Sequence, residues 1–490
     1  MISTQSPLLH TKPSSPTSPR PSFNGSLRIE GRRDRLTPLA GTVVLREVDE
    51  RLGVTASLAS KLEDPRAPGK IQHSLTELLR TLTYTMAAER TSQSAAERLR
   101  DDPAMRFAAA DCRGLSPLAS VGELASQPTI SRMLASFTTD VNLAALKDCI
   151  FDSAARAVHA MNGGKKLEPV TLDIDSFPHE VFGAQPGSEW NGHYKRRCYH
   201  PLGVMLGETG HWLGLELRPG NVHTADGDTD LLLPLIDRVE EEIAVVADVR
   251  GDAGFVSPRM LDALEKRKVR YAFRLPRNKP LDKIAEPHVY RPPGRPPKEP
   301  RTWTTELTYR SATWQEPRRV ILVVCERPGE LYLDSFYIVT SFTKEELSAD
   351  EVVDYYRDRG TMEGHIGEHQ SVVSGRLSST NRPKSHIKHF PIQERATPVD
   401  AERVNTASLA LHGIAFNLLN TLRLLAGASG KVDEPARLHL ARTRRELLAV
   451  AGRIVVSARR ATLIVTSKTA ALWGRLWKAL RRLEPVAEAL

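Results

Sequence analysis

Between residues 166 and 275 the chain switches repeatedly between the two-residue apolar period of strands and the three-to-four-residue period of helices. VTLDIDSF is one strand. HPLGVML, GETG and HWLGLEL read as strand, turn and strand, which make a hairpin. DTDLLLPLIDRVEEE is an amphipathic helix and IAVVADV a buried strand. SPRMLDALEKRK is a helix with Ser257 as cap and Pro258 at its first position, and VRYAFRL is another strand.

Three consecutive strands, then helix, strand, helix and strand, predict an α/β fold of ribonuclease H-like layout. Its core is a mixed five-stranded sheet with flanking helices. This catalytic domain takes residues 166–275 and 341–425. Between them, residues 276–340 open on the Pro-rich PHVYRPPGRPPKEPR and continue as strand-like TWTTELTYRS, RRVILVVCER and LDSFYIVTSF. They predict a β-rich insertion, whose last strands alternatively belong to the main sheet. Residues 37–165 read as a helical N-terminal region expected to bind DNA. Residues 426–490 read as a basic helical region, and residues 1–36, rich in Ser, Pro and Arg, as a disordered tail. A transit peptide or a misassigned start codon would explain the tail equally well.

Composition narrows this only a little. The 490 residues are 40% hydrophobic and 26% charged, so a large core can be buried. No purely apolar run reaches membrane-spanning length and no signal pattern opens the chain, so a cytoplasmic protein without membrane association is expected. Cys112, Cys149, Cys198 and Cys325 are too sparse for a disulfide framework. Cys198 lies between His193 and His200 but lacks a second ligand pair for a zinc site. The net charge of +9 is compatible with a polyanionic partner without requiring one.

The candidate chemistry is acidic. In VTLDIDSF, alternation puts Thr171, Asp173 and Asp175 on one strand face, with Asp175 at the strand end. In IAVVADVRGDAGF, Asp248, Arg250 and Asp252 alternate likewise, and Asp252 precedes a Gly-containing turn, a usual place for a site residue at a sheet's carboxyl edge. Glu363 lies in SADEVVDYYRDRGTMEGHIGEHQ, where Ser348 and Glu351 form a capping box. Tyr356, Arg359, Glu363 and Gln370 fall at i, i+3, i+7 and i+14, within about 60° of one another on a helix. Carboxylates converging from two strand ends and a helix suit a pair of divalent cations, Mg²⁺ or Mn²⁺, that cut phosphodiesters. Asp175, Asp252 and Glu363 are therefore the expected catalytic and metal-binding residues, with Asp173 a second ligand or a tuning neighbour. The plain alternatives are solvated strand-edge acids, a turn aspartate and a charged helix face. Arg132, in the helical SQPTISRMLASF, and Lys195 and Arg196, in the basic, aromatic NGHYKRRCYHP, are candidate DNA contacts. Trp303 and Trp314 read as core residues rather than base-stacking ones.

The stripe through Glu363 resembles the Y-(2)-R-(3)-E-(6)-K signature of DDE transposases from bacterial insertion sequences. DID, RGDAGF and YYRDRGTMEGHIGEH come in that family's order. PGSEWNGHYKRRCYHPL, LRPGNVHTADG and VRYAFRLPRN, with DPRAPGKIQHSLTELLR, ERLRDDPAMR and LASQPTISR upstream, are similar to the insertion-sequence group numbered thirteen-eighty. The likeness covers about residues 40 to 425. It implies a DNA transposase with Asp175, Asp252 and Glu363 as metal-binding triad and Tyr356 and Arg359 contacting phosphate near the transposon end. It also implies double-stranded DNA partners, namely terminal inverted repeats and target DNA, and a homodimer on DNA. Gln370 stands where the family usually has lysine, and Gly364 where the group often has a polar residue. These departures leave open a catalytically decayed, transposase-derived DNA-binding protein. A host metal-dependent nuclease is a third reading.

Overall fold

The computed structural model describes residues 23, 35–88, 97, 99–111, 122–165, 167–181, 185–295, 297–373, 377, 379, 401–428, 439–457 and 460–483. Most of the expected N-terminal tail and of the polar loop after the Glu363 helix lies outside them.

The centre is one large mixed sheet. Its strands are β1 (Val170–Ser176), β2 (Leu202–Leu206), β3 (His211–Glu216), β4 (Val246–Gly251), β5 (Arg270–Leu275), β6 (Arg301–Tyr309), β7 (Arg318–Glu326) and β8 (Asp334–Thr340). They lie in the order β6-β7-β8-β5-β4-β1-β2-β3. The five expected strands stand side by side: β1 pairs parallel with β4, and β4 with β5, while β1–β2 and β2–β3 are antiparallel.

The expected size of the sheet needs correction. It has eight strands, not five, because all three strands of the supposed insertion extend it. Tyr337–Thr340 of β8 pair with Leu275–Ala272 of β5. The physical reason is legible in β7: its run VILVV is buried on both faces, so it needs cover on two sides rather than an exposed subdomain surface.

On one face of the sheet Leu172, Ile174, Val204, Val249, Phe273 and Leu322 pack against a helix at Asp228–Glu242 and another at Pro258–Lys266. On the other face Ile321, Val323 and Ile338 pack against Val352 and Val353 of helix α1 (Ala349–Arg357). Thr171, Asp173 and Asp175 point to this second face.

Helices of residues 42–161 form a bundle around α2 (Ala401–Ala428). Up to Gly427, α2 is apolar and long enough to cross a membrane, but 83% of its most apolar stretch is buried inside the protein, as in a core helix. It also covers the free edge of the sheet. Asn417 accepts from the Trp212 backbone N–H at 2.8 Å and donates to the Trp212 carbonyl at 2.8 Å, so one amide side chain substitutes for a neighbouring strand.

The C-terminal region, expected to be helical, also contains a hairpin of Gly452–Ser457 and Arg460–Ile464. Its first strand pairs with Arg35–Thr37, so residues 35 and 36, assigned to the tail, are strand. The β-branched run in RIVVS favours extended backbone over helix.

Candidate active site

The parallel register of β1 and β4 aligns Asp173 with Arg250 and Ile174 with Gly251. Continuing it by one residue sets Asp175 beside Asp252, each at the carboxyl end of its strand. Both line one cleft of about 430 Å³, together with Trp190, Asn191, His193, Tyr194, His200, Asn221 and His223.

Glu363 reaches this edge from the helical segment that crosses it. The capping box forms: Glu351 accepts from the Ser348 N–H at 2.8 Å, and Ser348 Oγ accepts from the Glu351 N–H. The helix is not continuous, however. α1 ends at Arg357 and a second helix, α3, here Gly360–Glu368, begins after a tight step in which the Arg359 N–H bonds to the Tyr356 carbonyl. That step turns the Arg359 guanidinium inward. It donates to Asp175 Oδ2 at 2.7 Å and to Glu363 Oε1 at 2.7 Å. Two of the three expected acids are thus tied through one cation, and the third lines the same cleft. No hydrogen bond or ion pair to a described residue engages the Asp252 carboxylate.

Burial is the main influence on Asp175. It pushes the carboxyl up to about 6 despite Arg359, and the Asp252 and Glu363 charges push the same way. Burial likewise pushes the Tyr356 hydroxyl up to about 12, so it remains a donor at neutral pH.

Asp173 is engaged by a second arginine. Its two oxygens accept from Arg250 Nε at 2.7 Å and Nη2 at 2.9 Å, and both side chains are buried. Arg250 also donates to the Tyr355 carbonyl. The repulsion expected between Asp173 and Asp175 is relieved by an arginine on each. Through Arg250, Asp173 fastens β1 to β4 and α1.

Gln370 is likewise redirected. It lies in the π-helical turn His369–Val373, and its amide donates to the Pro178 carbonyl at 2.7 Å. Arg196 pairs with Glu180, Lys195 is exposed at a turn with φ of 52°, and Arg132 is exposed with one contact to Thr129. Neither Trp314, buried against Tyr309 and Arg318, nor Trp303 is at the site.

The sequence reading singled out NGHYKRRCYHP but missed Trp190 and the small sheet that makes this segment a wall of the cleft. The sheet consists of His179–Glu180, Glu189–Asn191 and Arg196–Tyr199. Gly220 lies against it so closely that a Cβ there would meet the Glu189 carbonyl oxygen at 2.4 Å. Asn191 donates to the Gly220 carbonyl. The wall carries Trp190, 60% exposed at the rim. The Gly-flanked, aromatic and His-rich composition of this segment was its only advance signal.

Glycine weakens a helix by about 1 kcal/mol relative to alanine, and three occur around Glu363. Gly360, Gly364 and Gly367 are exposed, and a Cβ on any of them would meet nothing within 4 Å. They leave the helix bare around Glu363.

Among the described residues no three acidic, His or Cys side chains form a ready-made metal cage. The donor set nonetheless fits a hard divalent cation. Asp175 and Glu363 already hold one cationic group, the Arg359 guanidinium, between them, and Asp252 lines the cleft beside Asp175.

No curated protein matches the chain. A cryo-EM structure of the piggyBac transposase synaptic complex with hairpin DNA is similar at 13% identity, covering 83% of this chain and 80% of that one, with a TM-score of 0.38. At that score the likeness carries nothing further. The sequence family described as Transposase DDE domain group 1 matches residues 20–487. With nearly the whole chain matched, and with two strand-end aspartates and a helical glutamate gathered at one sheet edge, the protein belongs to the DDE transposase family.

Proposed function

We propose that the chain is an active DNA transposase, cutting transposon ends at terminal inverted repeats and joining them to target DNA. Asp175, Asp252 and Glu363 would hold two Mg²⁺ or Mn²⁺ ions. The observation that carries this reading is the convergence of these acids, with Arg359 bonded to Asp175 and Glu363 at 2.7 Å each. The strand order around β1 and β4 supports a ribonuclease H-like core.

In such a site divalent cations supply activation of the attacking hydroxyl and charge stabilisation at the leaving oxygen. The chain's own groups do the rest. Rigid strand ends position Asp175 and Asp252. Arg359 holds the acids together before substrate arrives and, once released, has a guanidinium suited to a bidentate phosphate contact. Tyr356 offers a hydroxyl donor beside it. The bare glycine face around Glu363 lets a DNA backbone approach closely. With water or a free 3′-hydroxyl as the attacking group, the transferred strand would stay free of covalent linkage to protein. Assembly as at least a homodimer would hold both ends together.

The test is cleavage of a labelled transposon end, identified from inverted repeats flanking the gene. Cleavage is expected with Mg²⁺ and not with Ca²⁺. Asp252→Asn and Glu363→Gln should each reduce it by at least about 10³-fold while leaving end binding within about threefold. Undiminished cutting by either variant would overturn the assignment. End binding without any Mg²⁺-dependent cutting by the wild-type protein would favour the decayed alternative, to which Gln370 points. Cutting with no preference for transposon ends would favour a host nuclease.

A further inference from the structure

The net charge of +9 is concentrated at one end of the sequence. Residues 447–483 contain eight Lys and Arg and no Asp or Glu, whereas in the rest of the chain 60 Lys and Arg nearly balance 59 Asp and Glu. This segment holds the hairpin Gly452–Ser457 and Arg460–Ile464 and then the helix Ser467–Leu480, capped by Thr466.

The helix has two distinct faces. Leu476 and Leu480, with Leu483 just beyond, are buried in the helical core, and Trp473 and Trp477 pack beside them. On the opposite face Lys468, Arg475 and Lys478 follow at i, i+7 and i+10, within about 80° of one another. Arg481 and Arg482 lie just past the end. All five are exposed, as is Arg460 on the hairpin.

Many arginines elsewhere are neutralised. Arg238 meets Asp148, Asp152 and Glu242; Arg318 meets Asp262 and Glu265; Arg442 meets Glu446. The side chains of Arg460, Lys468, Arg475, Lys478, Arg481 and Arg482 have no ion pair with any described residue. Exposed cations without ion pairs on one short ordered segment, three of them on one helix face, are suited to a polyanion.

We propose that this C-terminal hairpin and helix form a duplex-DNA backbone-binding surface, distinct from the catalytic cleft. The assignment of the polyanion as DNA rests on the transposase reading. From Lys468 to Lys478 the stripe runs about 15 Å, enough to span a DNA major groove of about 12 Å from one backbone to the other. Contacts of this kind neutralise phosphates and release counterions without reading bases. A basic amphipathic helix can also lie on an anionic membrane, but that needs a free apolar face. Here that face is occupied by the protein core.

The test compares three full-length proteins for binding a random-sequence 30-base-pair duplex by fluorescence anisotropy. EDTA is present and salt is varied from 50 to 300 mM. One variant carries Lys468→Gln, Arg475→Gln, Lys478→Gln and Arg482→Gln. A control loses the same charge through Lys70→Gln, Lys165→Gln, Lys266→Gln and Lys298→Gln, exposed lysines elsewhere. The first should bind at least about tenfold more weakly at 100 mM salt, with a log–log salt slope shallower by about 3 to 4. The control should stay within about twofold, and circular dichroism should show all three folded. A misfolded quadruple variant is replaced by Lys468→Gln with Arg475→Gln, for which a slope change of about 2 is expected. Equal affinity and slope for variant and control would overturn this inference and leave the transposase reading standing. Tighter binding to phosphatidylserine vesicles than to duplex would also overturn it. A wild-type protein that binds no duplex at all would remove both.

Discussion

The acids of this site differ in what surrounds them, and that sets what each can do. Asp173 is held by Arg250 in a buried bidentate pair. Removing the arginine leaves a buried charge, so Arg250→Met should destabilise the protein by about 3–5 kcal/mol in urea melts at pH 8. Asp173→Asn should cost less, about 2 kcal/mol, and leave calorimetric Mn²⁺ binding intact; loss of Mn²⁺ binding would mark Asp173 as a ligand. Asp175 makes a prediction about pH. Its carboxyl is raised to about 6, chiefly by burial, above the ordinary value of 3.8. The folded state therefore holds this proton more tightly than the unfolded chain. In EDTA, the contribution of this group to stability should be greatest below pH 4, fall as pH rises from about 4 to about 6, and level off above. The loss due to this group is at most about 3 kcal/mol. Asp175→Asn should flatten that part of the profile in urea melts, and an unchanged slope would contradict the assigned burial effect. With Mg²⁺ the sign reverses, since binding requires the ionised carboxylate and strengthens as pH rises through 6.

At the scale of elements, the edge of β3 depends on a single side chain. Asn417 satisfies the Trp212 N–H and carbonyl and also reaches the Ile150 carbonyl and Ser153. Asn417→Ala would strand these buried groups and should lower stability by about 3 kcal/mol, with faster amide exchange at Trp212 than at β1. A shift under 1 kcal/mol would show that water replaces the amide. Elements of this kind mark where the sequence was readable. Strands β1 to β5, the Ser348 capping box and the Ser257 cap are written in short-range pattern, and the structure contains them. The break between Arg357 and Gly360 and the π turn at Gln370 were not readable. Both depend on what the helix packs against: Arg359 turns toward two carboxylates, and Gln370 toward Pro178. The cleft wall carrying Trp190 escaped for a similar reason, its strands being two to four residues long and paired through distant partners.

At the scale of the whole molecule, the open question was whether residues 276–340 are an appendage or part of the central body. Separate strand-like runs after a Pro-rich segment look alike in either case, because register between distant strands leaves no local mark. The structure joins β8 to β5 through Tyr337–Leu275 to Thr340–Ala272, and lays α1, which leads to Glu363, over β7 and β8. The insertion is thereby mechanically continuous with the strands that carry Asp175 and Asp252. Strands sharing one ladder open together. Amides of Val320–Val324 should then exchange with protection within about tenfold of those in β1, and urea unfolding followed by exchange should show one cooperative unit for both. An autonomous insertion would instead lose protection in β7 at lower urea, while β1 stayed closed. Because α1 rests on this extension and leads into α3, which carries Glu363, weakening β7 by Ile321→Ala, a cavity worth about 2–5 kcal/mol, should also reduce Mn²⁺ binding at the site. Unaltered metal affinity in a folded Ile321→Ala protein would show that the extension supports the sheet without positioning the glutamate.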